Sequence, residues 1–282
     1  KMILIKRSED LRKNLDSLRT SGVKTGFVPT MGALHQGHIE LIDACRQRSE
    51  YCICSIFVNP AQFNDPEDFK KYPKSLEKDI EMLEKAGTDL VFIPSVDEIY
   101  PSGDKNLETY DLGTLETLLE GRYRPGHFQG VCQVMNRLLQ LVKPDYLFMG
   151  QKDYQQCLVV KKLISLIEST VEFQIVPTIR EPGGLALSSR NRRLSGDEKL
   201  IAETIFAVLN SIKKELKPGD TRFLTETAVK KLNSSGFRTD YVSIARQNDL
   251  LPVENWDGRE LVVALIAAFL GEVRLIDNLL LN

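Results

Sequence analysis

Short apolar runs alternate with amphipathic segments over residues 8–178. The apolar runs have the length and composition of buried strands and lie at 26–28, 52–58, 89–94, 146–149 and 171–176. Apolar residues recur at helical spacing at 8–20, 39–45, 76–87, 131–142 and 155–167. This alternation is typical of a parallel sheet covered by helices on both faces. We therefore predict an α/β fold, with a turn and helix start at 65–68 and a glycine- and proline-richer loop at 101–127.

The pattern changes after residue 178. A helix-start signal at 194–198 opens a long helix to about residue 216, and another helix follows a turn at 218–220. Apolar runs then follow at 241–245, 261–270 and 273–281, and the Gly271-Glu272 turn fits a hairpin. We predict a smaller α+β domain with an antiparallel sheet, and place the division at 1–178 and 179–282.

One chemically distinctive stretch joins the first predicted strand to the helix after it: Pro29-Thr30-Met31-Gly32-Ala33-Leu34-His35-Gln36-Gly37-His38. The free N–H groups at a helix opening carry partial positive charge and suit a phosphate. Gly32 lets the backbone approach a ligand closely. His35 and His38 are three residues apart, so they share a helix face and can both donate to a triphosphate. A zinc pair, or two surface histidines, remains the alternative.

The loops at 59–63 and 150–156 also follow predicted strands, and in parallel sheets ligands bind at the carboxyl ends of the strands. We expect these loops to converge on the histidine stretch. Lys152 is a mobile positive charge suited to phosphate oxygens, unless it forms a solvated pair with Asp153. Gln62 and Gln156, like Asn59, carry amides that suit hydroxyl or carboxylate recognition, or that cap the loop backbone.

Ser188-Ser189-Arg190 supplies two hydroxyls and a guanidinium at the predicted domain junction. This compact donor set fits a polyphosphate, and a polar interdomain loop is the alternative. His127 lies in the predicted loop at 101–127, so we expect it at the surface.

Composition limits the remaining possibilities. The 282 residues are 42% hydrophobic and carry a net charge of −2, which argues against broad nucleic-acid binding. Cys52 and Cys54 lie within an apolar run, which favours core cysteines over a metal site, and an odd total of five cysteines indicates free thiols in a reducing compartment. The longest apolar run is too short for a membrane-spanning helix, and the first residues resemble neither a signal nor a transit peptide. We therefore expect a cytoplasmic protein.

Six stretches, in order, closely resemble the pantothenate synthetase (pantoate–β-alanine ligase) family, within the His-x-Gly-His nucleotidyltransferase superfamily. They are PTMGALHQGH at 29–38, SIFVNPAQF at 55–63, EGRYRPGHFQGV at 120–131, GQKDYQQ at 150–156, GLALSSRN at 184–191 and RLIDN at 274–278. The resemblance implies a Rossmann-like N-terminal domain with a smaller C-terminal lid, and a homodimer. It also implies ATP with Mg²⁺, the latter without a dedicated protein site, and condensation of pantoate with β-alanine through a pantoyl adenylate.

The resemblance also implies residue roles. His38, His35, Lys152 and Arg190 would be catalytic, Gln62 and Gln156 would bind pantoate, and Gln62 would also bind β-alanine. The residues implied for ATP are Met31, Gly32, Ala33, Leu34, His35, Gln36, Gly37, His38, Gly150, Gln151, Lys152, Asp153, Ile179, Leu187, Ser188, Ser189 and Arg190.

Two positions depart from the family pattern: Gln151 replaces a frequent Glu, and Gly183 replaces an expected Asp. The second departure removes a carboxylate beside the Ser188–Arg190 loop. Two rival functions stay open on the residues alone. One is a nucleotidyltransferase of the same superfamily that makes a stable dinucleotide or CDP/ADP product without β-alanine, and the other is a nucleotide sensor without turnover.

Overall fold

The computed structural model describes residues 1–63, 69–70, 72–73, 75–103 and 107–282, so the predicted turn and helix start at 65–68 lies outside the described residues. The first sheet has six parallel strands: β1 Ile3–Ile5, β2 Thr25–Thr30, β3 Tyr51–Ile56, β4 Leu90–Phe92, β5 Tyr146–Gly150 and β6 Glu172–Val176. Their order is β1-β4-β3-β2-β5-β6.

Helices connect these strands. They are α1 Ser8–Thr20, α2 Gln36–Arg48, α3 Leu76–Lys85, α4 Val96–Ile99, α5 Leu119–Tyr123, α6 His127–Val142 and α7 Tyr154–Leu166. The chain builds outward from β2 in one direction through β3 and in the other through β5. A crevice opens at such a reversal of strand order, beyond the carboxyl ends of the strands, and ligands bind there.

The chain after residue 178 forms a second sheet. Helices α8 Gly196–Ala202, α9 Thr204–Glu215 and α10 Arg222–Ser234 precede and accompany it. The strands are β7 Gly219–Asp220, β8 Phe237–Arg246, β9 Asn255–Trp256, β10 Val262–Leu270 and β11 Val273–Leu280. Strands β11, β10 and β8 are antiparallel neighbours in that order, and β7 pairs separately with β9.

The two sheets share packed faces. Ala264, Ile266 and Ala268 of β10 pack into a core with α9 and α10, whereas Val263 and Leu265 join the large core beneath α6 and α7. The alternation of strand side chains thus places β10 between two hydrophobic layers. The predicted α/β sheet followed by an antiparallel α+β region is confirmed, while the exact division at residue 178 stays a prediction. No helix in the described ranges is long and apolar enough to cross a membrane.

Two local predictions were wrong, and one strand was missed. The start of the chain forms strand β1, a run of three residues that the sequence pattern did not identify as a strand. The segment at 101–127 is not simply a loop: it includes a 3-10 turn at Gly113–Glu116, helix α5 and the first residue of α6. The long helix predicted to residue 216 is two helices that meet at Glu203.

Candidate active site

A cavity of about 230 Å³ lies where the crevice was expected, beyond the carboxyl ends of β2 and β5. The loop after β2, the loop after β5, the segment after β6 and the turn before α8 all contribute to its wall. The predicted site residues that line it are Met31, His35, Gly37, His38, Gln62, Gly150, Lys152, Asp153, Gln156, Ile179, Leu187, Ser188, Ser189 and Arg190. The convergence expected from the strand ends is therefore present.

Both histidines stand at the start of α2, where His35 is the residue that caps the helix. The backbone N–H of His35 donates to Nδ1 of His38 at 3.3 Å, so that nitrogen is unprotonated and the proton of neutral His38 is on Nε2. Burial and the nearby positive charges lower the pKa of His38 to about 3 and that of His35 to about 4. Both rings are therefore neutral at pH 7, and each carries one N–H that can donate a hydrogen bond.

Positive charge comes from two other loops. Lys152 lies at the 3-10 turn after β5, its side chain is 19% exposed, and its nearest carboxylate is Asp153 at 3.6 Å. Arg190 lies in a 3-10 turn at Ser189–Arg193, which begins with Ser188 Oγ accepting from the backbone N–H of Arg190. This turn is attached to the histidine stretch, because Arg192 donates to the carbonyl of Leu34 at 2.8 Å.

Another part of the cavity lining is apolar, and it also includes two amide side chains. Val131, Val134 and Met135 of α6 line the same cavity as Gln62 and Gln156. Gln62 is 9% exposed, and its Oε1 accepts from Asn59 at 3.3 Å. Asn59 itself is fully buried, so its role is to orient Gln62 within the loop after β3.

The prediction that His127 lies at the surface was wrong. His127 begins α6, is 4% exposed, and lines the cavity. Its Nδ1 donates to the carbonyl of Gln62 at 2.8 Å, which leaves Nε2 to accept from Arg124 at 3.1 Å. Burial, followed by the charge of Arg124, lowers the pKa of His127 to about 4. The glycine and proline around His127 suggested a loop. Only the tertiary structure shows that the neutral ring of His127 connects Gln62 to Arg124.

Five residues implied for ATP binding do not line the cavity: Gly32, Ala33, Leu34, Gln36 and Gln151. The first three are buried in the turn before α2, and Gln36 is exposed beside Glu40. Gln151 points away from the cavity and donates to Oδ1 of Asn278 at 3.1 Å. Their implied contact with ATP stays a prediction.

The RLIDN stretch contributes contacts that residue-by-residue reasoning missed. Asn278 of β11 donates to the carbonyls of Gln151 and Lys152, both at 2.9 Å. The neighbouring Asp277 accepts two bonds from Arg180, at 2.5 and 2.9 Å, and Arg180 also donates to the carbonyl of Gly184. The end of β11 thus holds two segments: the loop after β5 that carries Lys152 (residues 150–153, the lysine loop), and the segment that leads to Ser188. The sequence offered one indication of these contacts, which is that the RLIDN stretch lies in a predicted strand.

Position 183, where the family pattern led us to expect an Asp, is a glycine, and the carboxylate of another residue lies beside it. A Cβ built on Gly183 would lie 1.8 Å from Oε1 of Glu203, the residue between α8 and α9. The carboxylate of Glu203 therefore occupies the space beside the loop that a side chain at position 183 would enter.

A larger cavity, about 600 Å³, adjoins the first one and is bounded by the second sheet. The two cavities share Phe63, Arg124, Lys152, Asp153, Ser188 and Arg190. Positively charged side chains thus stand at the junction between a narrow inner pocket and a wide outer space. This arrangement suits a ligand with a compact group inside and a polyphosphate at the junction.

The doubly wound sheet, the helix N-terminus and the cations define an α/β enzyme that acts on a nucleotide. Comparison with known proteins narrows this class. The sequence model of the family described as Pantoate-beta-alanine ligase matches residues 3–280. The chain therefore belongs to the pantoate–β-alanine ligase family, and the predicted ligase class is confirmed.

Two solved structures are similar over the whole chain. Pantothenate synthetase from Thermus thermophilus is 38% identical, with 99% of each chain covered and a TM-score of 0.87. Pantoate-beta-alanine ligase from Francisella tularensis, in complex with β,γ-ATP and β-alanine, is 37% identical and has a TM-score of 0.84. That similarity covers 100% of this chain and 98% of the Francisella chain.

Proposed function

We propose that this chain joins pantoate to β-alanine at the expense of ATP, through a bound pantoyl adenylate, and releases AMP and pyrophosphate. The observation that carries the proposal is the cavity in which a helix N-terminus, Lys152 and the Ser188–Arg190 turn meet an amide-edged apolar pocket. The Francisella relative, which is in complex with β,γ-ATP and β-alanine, supports the same pair of ligands here.

The polar end of the cavity suits ATP. The N-terminus of α2 and the Nε2–H of His38 offer hydrogen bonds to phosphate oxygens, and Lys152 and Arg190 supply charge. Ile179 and Leu187 line the wall and offer apolar surface to the base. This placement supports the proposed catalytic roles of His38, His35, Lys152 and Arg190, because all four line the cavity and would lie beside the phosphates, where charge changes during the reaction.

The apolar end suits pantoate. Pantoate has two methyl groups, two hydroxyls and a carboxylate, so it requires an apolar wall with few hydrogen-bonding groups at precise places. The α6 side chains supply the wall, and Gln62 and Gln156 supply amides for the hydroxyls and carboxylate. We also assign Gln62 to β-alanine, since it stands at the edge of the same pocket.

Two steps follow from this arrangement. A carboxylate is ionised at pH 7 and needs no base, so pantoate attacks the α-phosphorus once it is aligned in line with the departing pyrophosphate. Lys152, Arg190 and the neutral histidines stabilise the charge that develops on the phosphates. The β-alanine amine then attacks the activated acyl carbon, a C–N bond forms, and the acyl–phosphate bond breaks with loss of AMP.

We propose Mg²⁺ as the metal that accompanies ATP. Asp153 is the only carboxylate among the described residues that line the cavity, and no cluster of three metal-ligating side chains occurs within the described ranges. Phosphate oxygens would therefore supply most ligands, which fits a metal that prefers oxygen and retains water. When bound, Mg²⁺ neutralises phosphate charge and favours attack at phosphorus.

We also propose a cytoplasmic homodimer, following the family resemblance. All five cysteines are buried free thiols, which suits a reducing compartment. Strand β6 forms one edge of the first sheet, and burial in a dimer is one way to protect such an edge. Light scattering coupled to size exclusion measures the mass directly, and a monomer at micromolar concentration contradicts the dimer.

The function is tested by AMP release with each substrate omitted in turn. We expect sustained AMP and pantothenate formation only with ATP, pantoate and β-alanine together. AMP formation that does not respond to β-alanine would favour the rival nucleotidyltransferase, and absence of AMP under all conditions would favour the sensor.

A further inference from the structure

The turn between β2 and α2 is held by a carboxylate from a different part of the chain. Asp79, in the first turns of α3, is 2% exposed. Its Oδ2 accepts from the backbone N–H of Ala33 at 2.8 Å, and its Oδ1 accepts from that of Leu34 at 2.9 Å. Ser75 donates to Oδ1 at 3.0 Å and completes the hydrogen bonds of the carboxylate.

This turn has an unfavourable backbone conformation. Gly32 has φ of 79° and Ala33 has φ of 52°, so two successive residues are left-handed. For alanine that conformation costs roughly 1–2 kcal/mol and persists only where the surroundings enforce it. Two hydrogen bonds to a buried carboxylate supply that enforcement, because they fix the direction of both N–H groups.

The direction of the Ala33 and Leu34 N–H groups determines how the residues that follow them are placed in the candidate site. His35 follows Leu34 immediately and caps α2, and the N–H of His35 fixes the tautomer of His38. The carbonyl of Leu34 also accepts from Arg192, next to the Ser188–Arg190 turn. A change at 33–34 therefore reaches both sets of phosphate-binding groups.

We propose that Asp79 is a positioning residue for adenylate formation: it holds the Gly32–Leu34 turn so that the start of α2 faces the phosphates of ATP. The inference rests on the proposed function. It assigns Asp79 no contact with substrate, since Asp79 is absent from the residues that line the cavity.

The sharpest substitution is Asp79→Asn, which keeps the shape. An amide has a single acceptor oxygen, so it can serve Ala33 or Leu34 but presents its own NH₂ to the other. We expect adenylate formation, measured as pantoate-dependent exchange of pyrophosphate into ATP, to fall about 10- to 100-fold, as misplacement by about 1 Å does. Aminolysis of supplied pantoyl adenylate by β-alanine needs no triphosphate alignment and should change by less than about threefold on the same basis.

A matched control exists at the other end of β2. Asp145 accepts from the backbone N–H of Thr25 at 2.9 Å and from Lys24 at 2.7 Å, and it lies outside the cavity lining. Asp145→Asn weakens the same type of carboxylate-to-backbone bond at the start of β2, away from the Gly32–Leu34 turn, so it reports the general cost to stability. We expect Asp145→Asn to lower the rates of adenylate formation and of aminolysis equally, or to leave both unchanged.

Hydrogen exchange tests the proposal on the unaltered protein. The amides of Ala33 and Leu34 should be protected, and Asp79→Asn should lose protection at these two positions while Thr25 keeps its own. Fast exchange at Ala33 and Leu34 in the unaltered protein would overturn the proposal, whether or not the variant folds. Equal loss of both half-reactions in a folded Asp79→Asn protein would also overturn it. Absence of pyrophosphate exchange in the unaltered protein would instead refute the proposed function.

Discussion

Removal of the Asn278 side chain should separate the lysine loop from the second sheet. Asn278 is 2% exposed, and its amide donates to the carbonyls of Gln151 and Lys152 while accepting from Gln151. Asn278→Ala deletes all three bonds and removes one side-chain donor from each of the two carbonyls. A buried group without its partner costs about 1–3 kcal/mol. The loop is partly exposed, so water replaces part of the loss, and we expect about 2–3 kcal/mol in total.

This loss has two readouts. For a chain of this size about 2–3 kcal/mol corresponds to a fall of about 3–5 °C in Tm. The freed loop carries Lys152, and displacement of a catalytic group by about 1 Å costs about 100-fold in rate. We expect pyrophosphate exchange to fall about 10- to 100-fold. The KM for pantoate should change much less, because the side-chain hydrogen bonds of Asn278 go to Gln151 and Lys152 rather than to Gln62 or Gln156.

Asn282 provides the control. It donates to the carbonyl of Glu260 and accepts from the N–H of Val262, so it also ties strand ends together, but it lies outside both cavities. Asn282→Ala should lower Tm without lowering exchange. If Asn278→Ala loses stability but exchanges pyrophosphate at the normal rate, the proposed link between β11 and the lysine loop is refuted.

Four further predictions follow from the site. His38→Ala should lower pyrophosphate exchange about 100- to 1000-fold with the fold intact, and normal exchange would remove His38 from its role. Gln62→Ala should raise the KM for pantoate about 5- to 150-fold, the equivalent of about 1–3 kcal/mol, and leave the KM for ATP unchanged. A change in the KM for ATP alone contradicts the pocket assignment. Gly130→Ala should lower Tm by several degrees, because its Cβ would lie 2.2 Å from the carbonyl oxygen of Ala61, whereas Gly196→Ala meets open space; equal Tm values would contradict this. Burial lowers the pKa of all three histidines to between about 3 and 4, so the unfolded chain binds more protons and stability should fall as pH drops from about 6.5 to 4, as equilibrium unfolding at pH 7 and pH 5 would show.

Short-range sequence patterns were sufficient to predict most of the fold. Near-continuous apolar strands such as β3 and β5, separated by amphipathic helices, predict a parallel sheet because only strands buried on both faces lack alternation. That geometry also predicts that Lys152 and His38 meet, since each follows a strand of one sheet. Strand β1 escaped detection because its neighbour β4 is distant in sequence and pairing stabilises it more than its own composition does.

Residues that act through long-range contacts were beyond such patterns. Asp79 resembles any acidic residue in the first turn of a helix, and only its contact with Ala33, 46 residues away, gives it a role. His127 is similar, because its neutral bridge between Gln62 and Arg124 requires packing against the loop after β3. Glu203 fills the space beside Gly183 through the meeting of two helices that the sequence pattern joined into one.

The central claim is that an acyl adenylate forms before the amine takes part. Exchange of labelled pyrophosphate into ATP measures that step directly, because it requires reversible adenylation and nothing more. We predict exchange that needs pantoate and Mg²⁺, proceeds without β-alanine, and is depressed by Arg190→Ala, whose guanidinium lies at the junction of the two cavities. Exchange that occurs only when β-alanine is present would contradict the stepwise mechanism.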